Sequence, residues 1–238
     1  MADLSPNPNW IDLNEEIVGC RACPRLVEWR EQVAREKRRA FRDSEYWGKP
    51  VPGFGDRQAR LVIVGLAPGA HGANRTGRVF TGDGAGGSGD FLYSALHRAG
   101  FANQPISRYR GDSLALEDAF VTCMARCAPP ANRPTAQELA NCRGYLAQEL
   151  ELLRQVQVIV ALGQIAFEGC LRILKEAGAN LPRLKFGHAR HYKLADYQPN
   201  LPHLIASYHP SRQNTQTGRL TPAMLDQVFQ LARTLLDS

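Results

Sequence analysis

Leu61-Val62-Ile63-Val64-Gly65-Leu66-Ala67-Pro68-Gly69 is the stretch that decides the fold. Its four opening residues are apolar without alternation, the pattern of a strand buried on both faces in a parallel sheet with helices above and below. The loop that follows is long. From Gly65 to Asp83 it carries five glycines, two arginines, one phenylalanine and one acid. Connections of that length in compact domains usually have a task of their own. In open α/β sheets, ligands bind where loops leave the carboxyl ends of the strands. This loop is therefore the first place to look for chemistry.

Outward from that strand (about 60 to 66), the chain alternates strands with helical patterns. Residues 10 to 42 predict helix, interrupted at Cys23-Pro24 because proline disfavours helix in its predecessor. Residues 43 to 58 read as an irregular connection, and a helix is expected from Ser88 to Ala99. A second strand spans about Ala119 to Arg126, and Thr135 with Glu138 forms a capping box for a helix running to Leu153. A third apolar strand, Val156 to Leu162, precedes a helix from Gln164 to Ala177 that Gly178 ends. Residues 181 to 202 leave room for a short hairpin before a fourth strand, His203 to Ser207. Thr221 and Pro222 then open the final helix. These elements predict a single α/β domain over residues 1–238, three layers (αβα) around a central four-stranded parallel sheet. Residues 1–10 are expected to be flexible.

The chain has 238 residues, 44% of them hydrophobic, which is ample for a core. No run of eighteen apolar residues exists and the amino terminus is polar and proline-rich, so neither a membrane span nor a signal peptide is expected. The expected location is cytoplasmic. The formal charge of +6 fits an anionic partner without requiring one. Arg21 to Arg42 holds eight Arg/Lys against three Glu, which suits either a solvated helix face or phosphate contact.

Six cysteines occur, and in a cytosolic chain metal or cluster ligation is favoured over disulfides. Cys20-x2-Cys23 places two thiolates within reach of one metal. Cys127 follows the second strand and Cys142 lies on the next helix, so a four-thiolate site would tie the amino-terminal helix to the sheet. Structural zinc ribbons more often use two close pairs, whereas iron-sulfur clusters use dispersed cysteines. Cys123 and Cys170 lie in apolar segments and are expected in the core. The hexamer Gly84-Ala85-Gly86-Gly87-Ser88-Gly89 matches the dinucleotide-binding fingerprint in letters only, since it follows a long loop rather than a strand end.

Four motifs occur in order: Gly65-Leu66-Ala67-Pro68-Gly69, Gly77-Arg78-Val79-Phe80-Thr81-Gly82-Asp83, Arg126-Cys127-Ala128-Pro129-Pro130 and His209-Pro210-Ser211. Together they resemble the uracil-DNA glycosylase superfamily, specifically the iron-sulfur-containing family 5 (UDGb), from Cys20 to the final helix. The resemblance implies a [4Fe-4S] cluster on Cys20, Cys23, Cys127 and Cys142. It also implies excision of uracil, hydroxymethyluracil, ethenocytosine and hypoxanthine from DNA. Many relatives place an acid or Asn in the first motif, where this chain has Leu66 and Ala67. Family 4 relatives place Asn on the second strand, where this chain has Thr122-Cys123. Both departures imply a less restrictive pocket.

Breaking a glycosidic bond to a base passes through an oxocarbenium-like sugar while negative charge grows on the base. The nucleotide must first leave the stack. Phe80 offers a ring for stacking, and His209 a donor to the leaving base. Asp83 is the acid placed to orient water or offset the sugar's positive charge, although it also suits a helix cap. Asn132 is a candidate polar contact to base or water. Backbone amides of Gly65, Ala67 and Gly69 could hold base oxygens. Gln213, Asn214 and Arg219 on the last loop, with Arg75 and Arg78, are expected DNA contacts. No lysine lies in these motifs, so a monofunctional glycosylase acting as a monomer is expected, without a lyase step. The rivals are a non-enzymatic iron-sulfur or zinc module that binds nucleic acid, and a nucleotide-binding enzyme built on the glycine-rich loop.

Overall fold

The structure, a computed structural model, describes residues 9–238. Helices α1 (Trp10–Gly19) and α2 (Pro24–Glu36) precede a two-residue strand, β1 (Phe54–Gly55). Strand β2 (Leu61–Gly65) leads through a short α3 (Ala73–Thr76) to α4 (Ser88–Arg98) and β3 (Ala119–Cys123). Then come α5 (Ala136–Leu152), β4 (Val158–Leu162), α6 (Gln164–Glu176), β5 (Arg190–Lys193) and β6 (His203–Ser207). A five-residue α7 (Arg212–Gln216) and α8 (Pro222–Leu236) close the chain.

All six strands join one sheet in the order β1-β3-β2-β4-β6-β5. The four central strands are parallel, with Ile63 opposite Val121 on one side and Val160 on the other. The expected four-stranded sheet is thus extended by two antiparallel edges. β1 is too short to show a pattern, and residues 181–202 hold a single strand rather than a hairpin of their own: the polar Arg190-His191-Tyr192-Lys193 pairs antiparallel with β6. Charged, short edge strands discourage further pairing. Of residues 1–10, expected to be flexible, 1–8 lie outside the described residues. The chain is already fixed at its described start: the Asn9 side chain accepts from the Ile11 and Asp12 N–H groups, and Trp10 tilts against Phe120 at 5.2 Å.

Every residue of β2, β3 and β4 is buried, as the uninterrupted apolar runs require. On one face Leu92 and Leu96 of α4 and Leu225 and Phe229 of α8 cover Ile63, Val121 and Ile205. On the other, Leu146 of α5 and Phe167 and Cys170 of α6 cover Val62, Ile159 and Leu204. Each such side chain contributes about 1.5–3 kcal/mol of transfer free energy on burial. The Thr135–Glu138 capping box forms with both reciprocal hydrogen bonds, and Thr221 caps α8 behind Pro222. No helix among the described residues is long and apolar enough to cross a membrane.

The chain leaves β2 toward β3 on one side, then returns across it to β4 on the other. The carboxyl ends of β2 and β4 therefore flank a switch of direction, the position where open parallel sheets form a crevice.

Candidate active site

Phe80 lies beneath the exit of β2. A Cβ at Gly65 would come within 2.7 Å of the Phe80 ring, so only glycine lets the strand end close over it. Phe80 holds a left-handed backbone conformation (φ 50°), a strained one for a bulky side chain, and its ring is largely buried. It stacks on His209, with centroids 5.8 Å apart and planes 28° apart. A base between two rings needs about 7 Å, twice a contact distance of about 3.5 Å, so the rings must part for one to enter.

His209 follows β6, and Gly163 at the end of β4 backs it at 3.6 Å from where a Gly163 Cβ would stand. Its backbone carbonyl accepts from Asn214 Nδ2 at 2.8 Å. Its ring nitrogens make no hydrogen bond among the described residues. Desolvation pushes the imidazole down to about 4, so the ring is neutral at physiological pH and can offer one N–H donor.

Asp83 closes the far end of the motif loop. Its Oδ1 lies 1.7 Å from the position a Gly72 Cβ would take and 3.2 Å from that of Gly69. The loop therefore folds back so that its two halves touch through this carboxylate. Burial raises the Asp83 carboxyl, against the lowering effects of the Gly89 N–H and then of Arg212. α4 itself starts from Gly87 as N-cap with no side-chain cap hydrogen bond, so the Asp83 carboxylate does not cap it. Arg212, which the sequence reading did not single out, donates to the Asp83 carbonyl at 3.2 Å.

The loop's carbonyls are engaged: Gly65 and Leu66 accept from Met124 and Ala125, and Gly69 from Gly72 and Asn74. The N–H groups of Ala67, Gly69 and Ala70 have no partner among the described residues. Such a row of free donors suits an electronegative atom of base or water. Asn132 is exposed on a one-turn helix, the second of two consecutive left-handed residues after Ala131 (φ 51° and 56°). Its side chain makes no hydrogen bond among the described residues, and no contact ties it to Asp83 or His209.

Three expected DNA contacts are engaged within the protein instead. Arg78 is buried and paired with Asp112 at 2.6 Å, and it also donates to Thr81 and Ser107. Arg75 donates to the His71 and Gly82 carbonyls and lies over the Phe41 ring, fastening the loop to itself. Asn214 braces the backbone of His209. Sequence shows their charge or polarity but not these partners. Gln213 and Arg219 are exposed, with Arg219 stacked over Tyr208 at 4.6 Å. The stretch expected to be a groove-entering loop is in part the helix α7, capped by Ser211.

Cys20, Cys23, Cys127 and Cys142 line one small cavity with Arg30 and Arg126. Cys123 and Cys170 are in the core, as expected. Among the described residues no group of three or more His, Cys, Asp or Glu could hold a single metal ion. The four thiols, drawn from both ends of the α1–α2 connection, the β3 exit and α5, share the lining of this one cavity. Arg30 is fully buried, donates to Cys127 Sγ at 2.8 Å and to the Cys20 carbonyl, and leaves its Nε without a partner. Its nearest carboxylate, Glu31, stands 3.9 Å away. Burial pushes the free Cys127 thiol up to about 12 and raises Cys142, so without a metal both stay protonated at neutral pH. A buried guanidinium bonded to one of these thiols, in a cavity lined by all four, fits the counter-charge that an anionic thiolate-bound group would need. Arg30 was legible in principle, as a charge on the apolar stripe Leu26, Val27 and Val33.

A strained aromatic, a neutral imidazole and a desolvated acid thus lie with free amide donors at the carboxyl end of a parallel sheet. The family model for the uracil DNA glycosylase superfamily matches residues 52–233. The type-5 uracil-DNA glycosylase of Mycobacterium leprae is 52% identical, over 94% of each chain. That of Thermus thermophilus is 51% identical over 93% of this chain and 95% of its own. A type-4 uracil-DNA glycosylase of Pyrobaculum aerophilum is 32% identical over 84% of this chain and 81% of its own. The chain belongs to the uracil DNA glycosylase superfamily, in its type-5 branch.

Proposed function

We propose that this protein is a monofunctional DNA glycosylase that hydrolyses the bond between deoxyribose and uracil, or a related damaged base, leaving an abasic site in DNA. Hydroxymethyluracil, ethenocytosine and hypoxanthine are the further substrates, admitted because Leu66, Ala67, Thr122 and Cys123 supply no side chain that reads a base as tightly as Asn would. The observation that carries the reading is the convergence of Phe80, Asp83 and His209 on the exit loop of β2.

The flipped base contacts Phe80 while the free N–H groups of Ala67 and Gly69 face its oxygens. As the glycosidic bond breaks, its electron pair moves onto the base, and the neutral His209 donates an N–H toward that growing charge. Asp83, ionised, orients a water whose oxygen bonds to the sugar's anomeric carbon, and accepts its proton. Asn132 is an additional polar contact from the β3 side. Gln213 and Arg219 contact the DNA beside His209.

The four cysteines hold a [4Fe-4S] cluster, supported by the dispersed donor set and the buried Arg30. When bound, the cluster would tie α1, α2 and α5 together structurally; it takes no part in hydrolysis. The protein acts as a monomeric, single-domain enzyme of the cytoplasm or nucleoid. Incubation with uracil-containing oligonucleotides followed by alkali tests the reading. Strand breaks at uracil are expected. None at any of the four lesions, in single or double strands, would refute it.

A further inference from the structure

Residues 103–115 form an excursion between α4 and β3 that neither the motifs nor the cysteines explain. Its base closes as a small antiparallel ribbon. Asn103 N–H donates to the Ala115 carbonyl, its side chain bonds Ala115 N–H and the Ser113 carbonyl, and Ala102 bridges Leu116. At the tip, one carboxylate organises the turn: Asp112 accepts from the N–H groups of Arg108, Tyr109 and Leu114 and from Arg78. Burial alone would raise the Asp112 carboxyl, but the Arg78 and backbone hydrogen bonds hold it below the ordinary carboxylate range.

This excursion is fastened to the catalytic loop. Gly82 N–H donates to the Ser107 carbonyl at 3.1 Å, and Ser107 Oγ and Thr81 Oγ1 share a 2.6 Å hydrogen bond. Arg108 pairs with Asp90 at the start of α4. The tip therefore sits next in space to Asp83 and is held in one conformation. What it presents outward is unusual for a rigid turn. Tyr109 is 59% exposed and makes no side-chain hydrogen bond among the described residues. Arg110 lies over the Trp47 ring at 4.9 Å, with Lys49 over the same ring at 5.6 Å, and it pairs with no carboxylate among the described residues.

An exposed aromatic ring beside free cations is the chemistry that binds nucleic acid, with the ring stacking on bases and the cations holding phosphates. A turn fixed beforehand loses little entropy on binding. We propose that residues 103–115 are a DNA-contacting finger: Tyr109 stacks on a base next to the extruded nucleotide, and Arg110 holds a backbone phosphate. The proposal rests on the glycosylase reading for its choice of DNA as occupant.

The test measures affinity for duplexes with and without uracil, as a function of salt, together with single-turnover excision of uracil. Tyr109→Ala should weaken binding and raise the half-saturating concentration about ten-fold, while the rate at saturation stays close to that of the wild type. Tyr109→Phe, which keeps the ring, should restore affinity. Arg110→Ala should lower the slope of log affinity against log salt by about one. Unchanged affinity and salt slope in Tyr109→Ala and Arg110→Ala would overturn the finger, whatever the enzyme excises. Absence of excision by the wild type would overturn the glycosylase reading instead, with the binding data still deciding the finger.

Discussion

Gly72→Ala isolates the geometry of Asp83 from its chemistry. The new methyl would stand 1.7 Å from Asp83 Oδ1, whereas ordinary van der Waals contact begins at 3.4 Å. Gly72 is the N-cap of α3, and its neighbours Thr81 and Asp83 belong to the folded-back half of the loop. The carboxylate must therefore swing away by well over 1 Å or the loop must open. Misplacing a catalytic group by about 1 Å costs about 100-fold in rate, or about 2.7 kcal/mol of barrier. Gly69→Ala is the control, because its methyl would lie 3.2 Å from the same oxygen and asks for only a small adjustment. In single-turnover excision at saturating DNA, Gly72→Ala should fall about 100-fold, and Gly69→Ala by only a few-fold. Thermal melts should show both proteins folded. A folded Gly72→Ala with the wild-type rate would refute the placing of Asp83 at the reacting centre.

Because burial raises the Asp83 carboxyl and the proposed reaction uses its ionised form, activity should fall on acidification through a pKa above the ordinary carboxylate value. Asp83→Asn should abolish that acid limb, and a pH–rate profile of the two proteins reads it directly. The same shift makes the ionised carboxylate a burden on the fold at neutral pH, so Asp83→Asn should melt higher than the wild type. Arg30→Leu should lower iron content and brown absorbance per chain after anaerobic purification; full retention would refute its role as counter-charge. Glu149 accepts from Arg126 and Thr122 in a fully buried pair, so Glu149→Ala strands a buried guanidinium and should cost about 3–5 kcal/mol in a denaturation curve.

The four parallel strands were legible because doubly covered strands leave continuous apolar runs, such as Val158–Leu162. The edges were not, since Phe54–Gly55 is too short and Arg190–Lys193 too polar to carry that signal. At the site, the glycine-rich loop, Phe80, Asp83 and His209 could be picked out by type and order. The partners of arginines could not. Arg78 and Arg110 look alike in sequence, yet one is sealed against Asp112 and the other stacks openly on Trp47. That difference depends on contacts across 30 residues or more, such as Arg78 with Asp112, which no local pattern records.

The Arg78–Asp112 pair also makes the walls of the cleft mechanically unequal. On one side, catalytic loop, excursion and α4 are cross-braced through Thr81, Ser107, Arg108 and Asp90 into a single stiff jaw. On the other, the segment bearing His209 and α7 meets that jaw through the Phe80 stack and one hydrogen bond from Arg212 to the Asp83 carbonyl. A base cannot pass between Phe80 and His209 at their present spacing, so one of these two unequal walls must yield before a base can lie against the Phe80 ring.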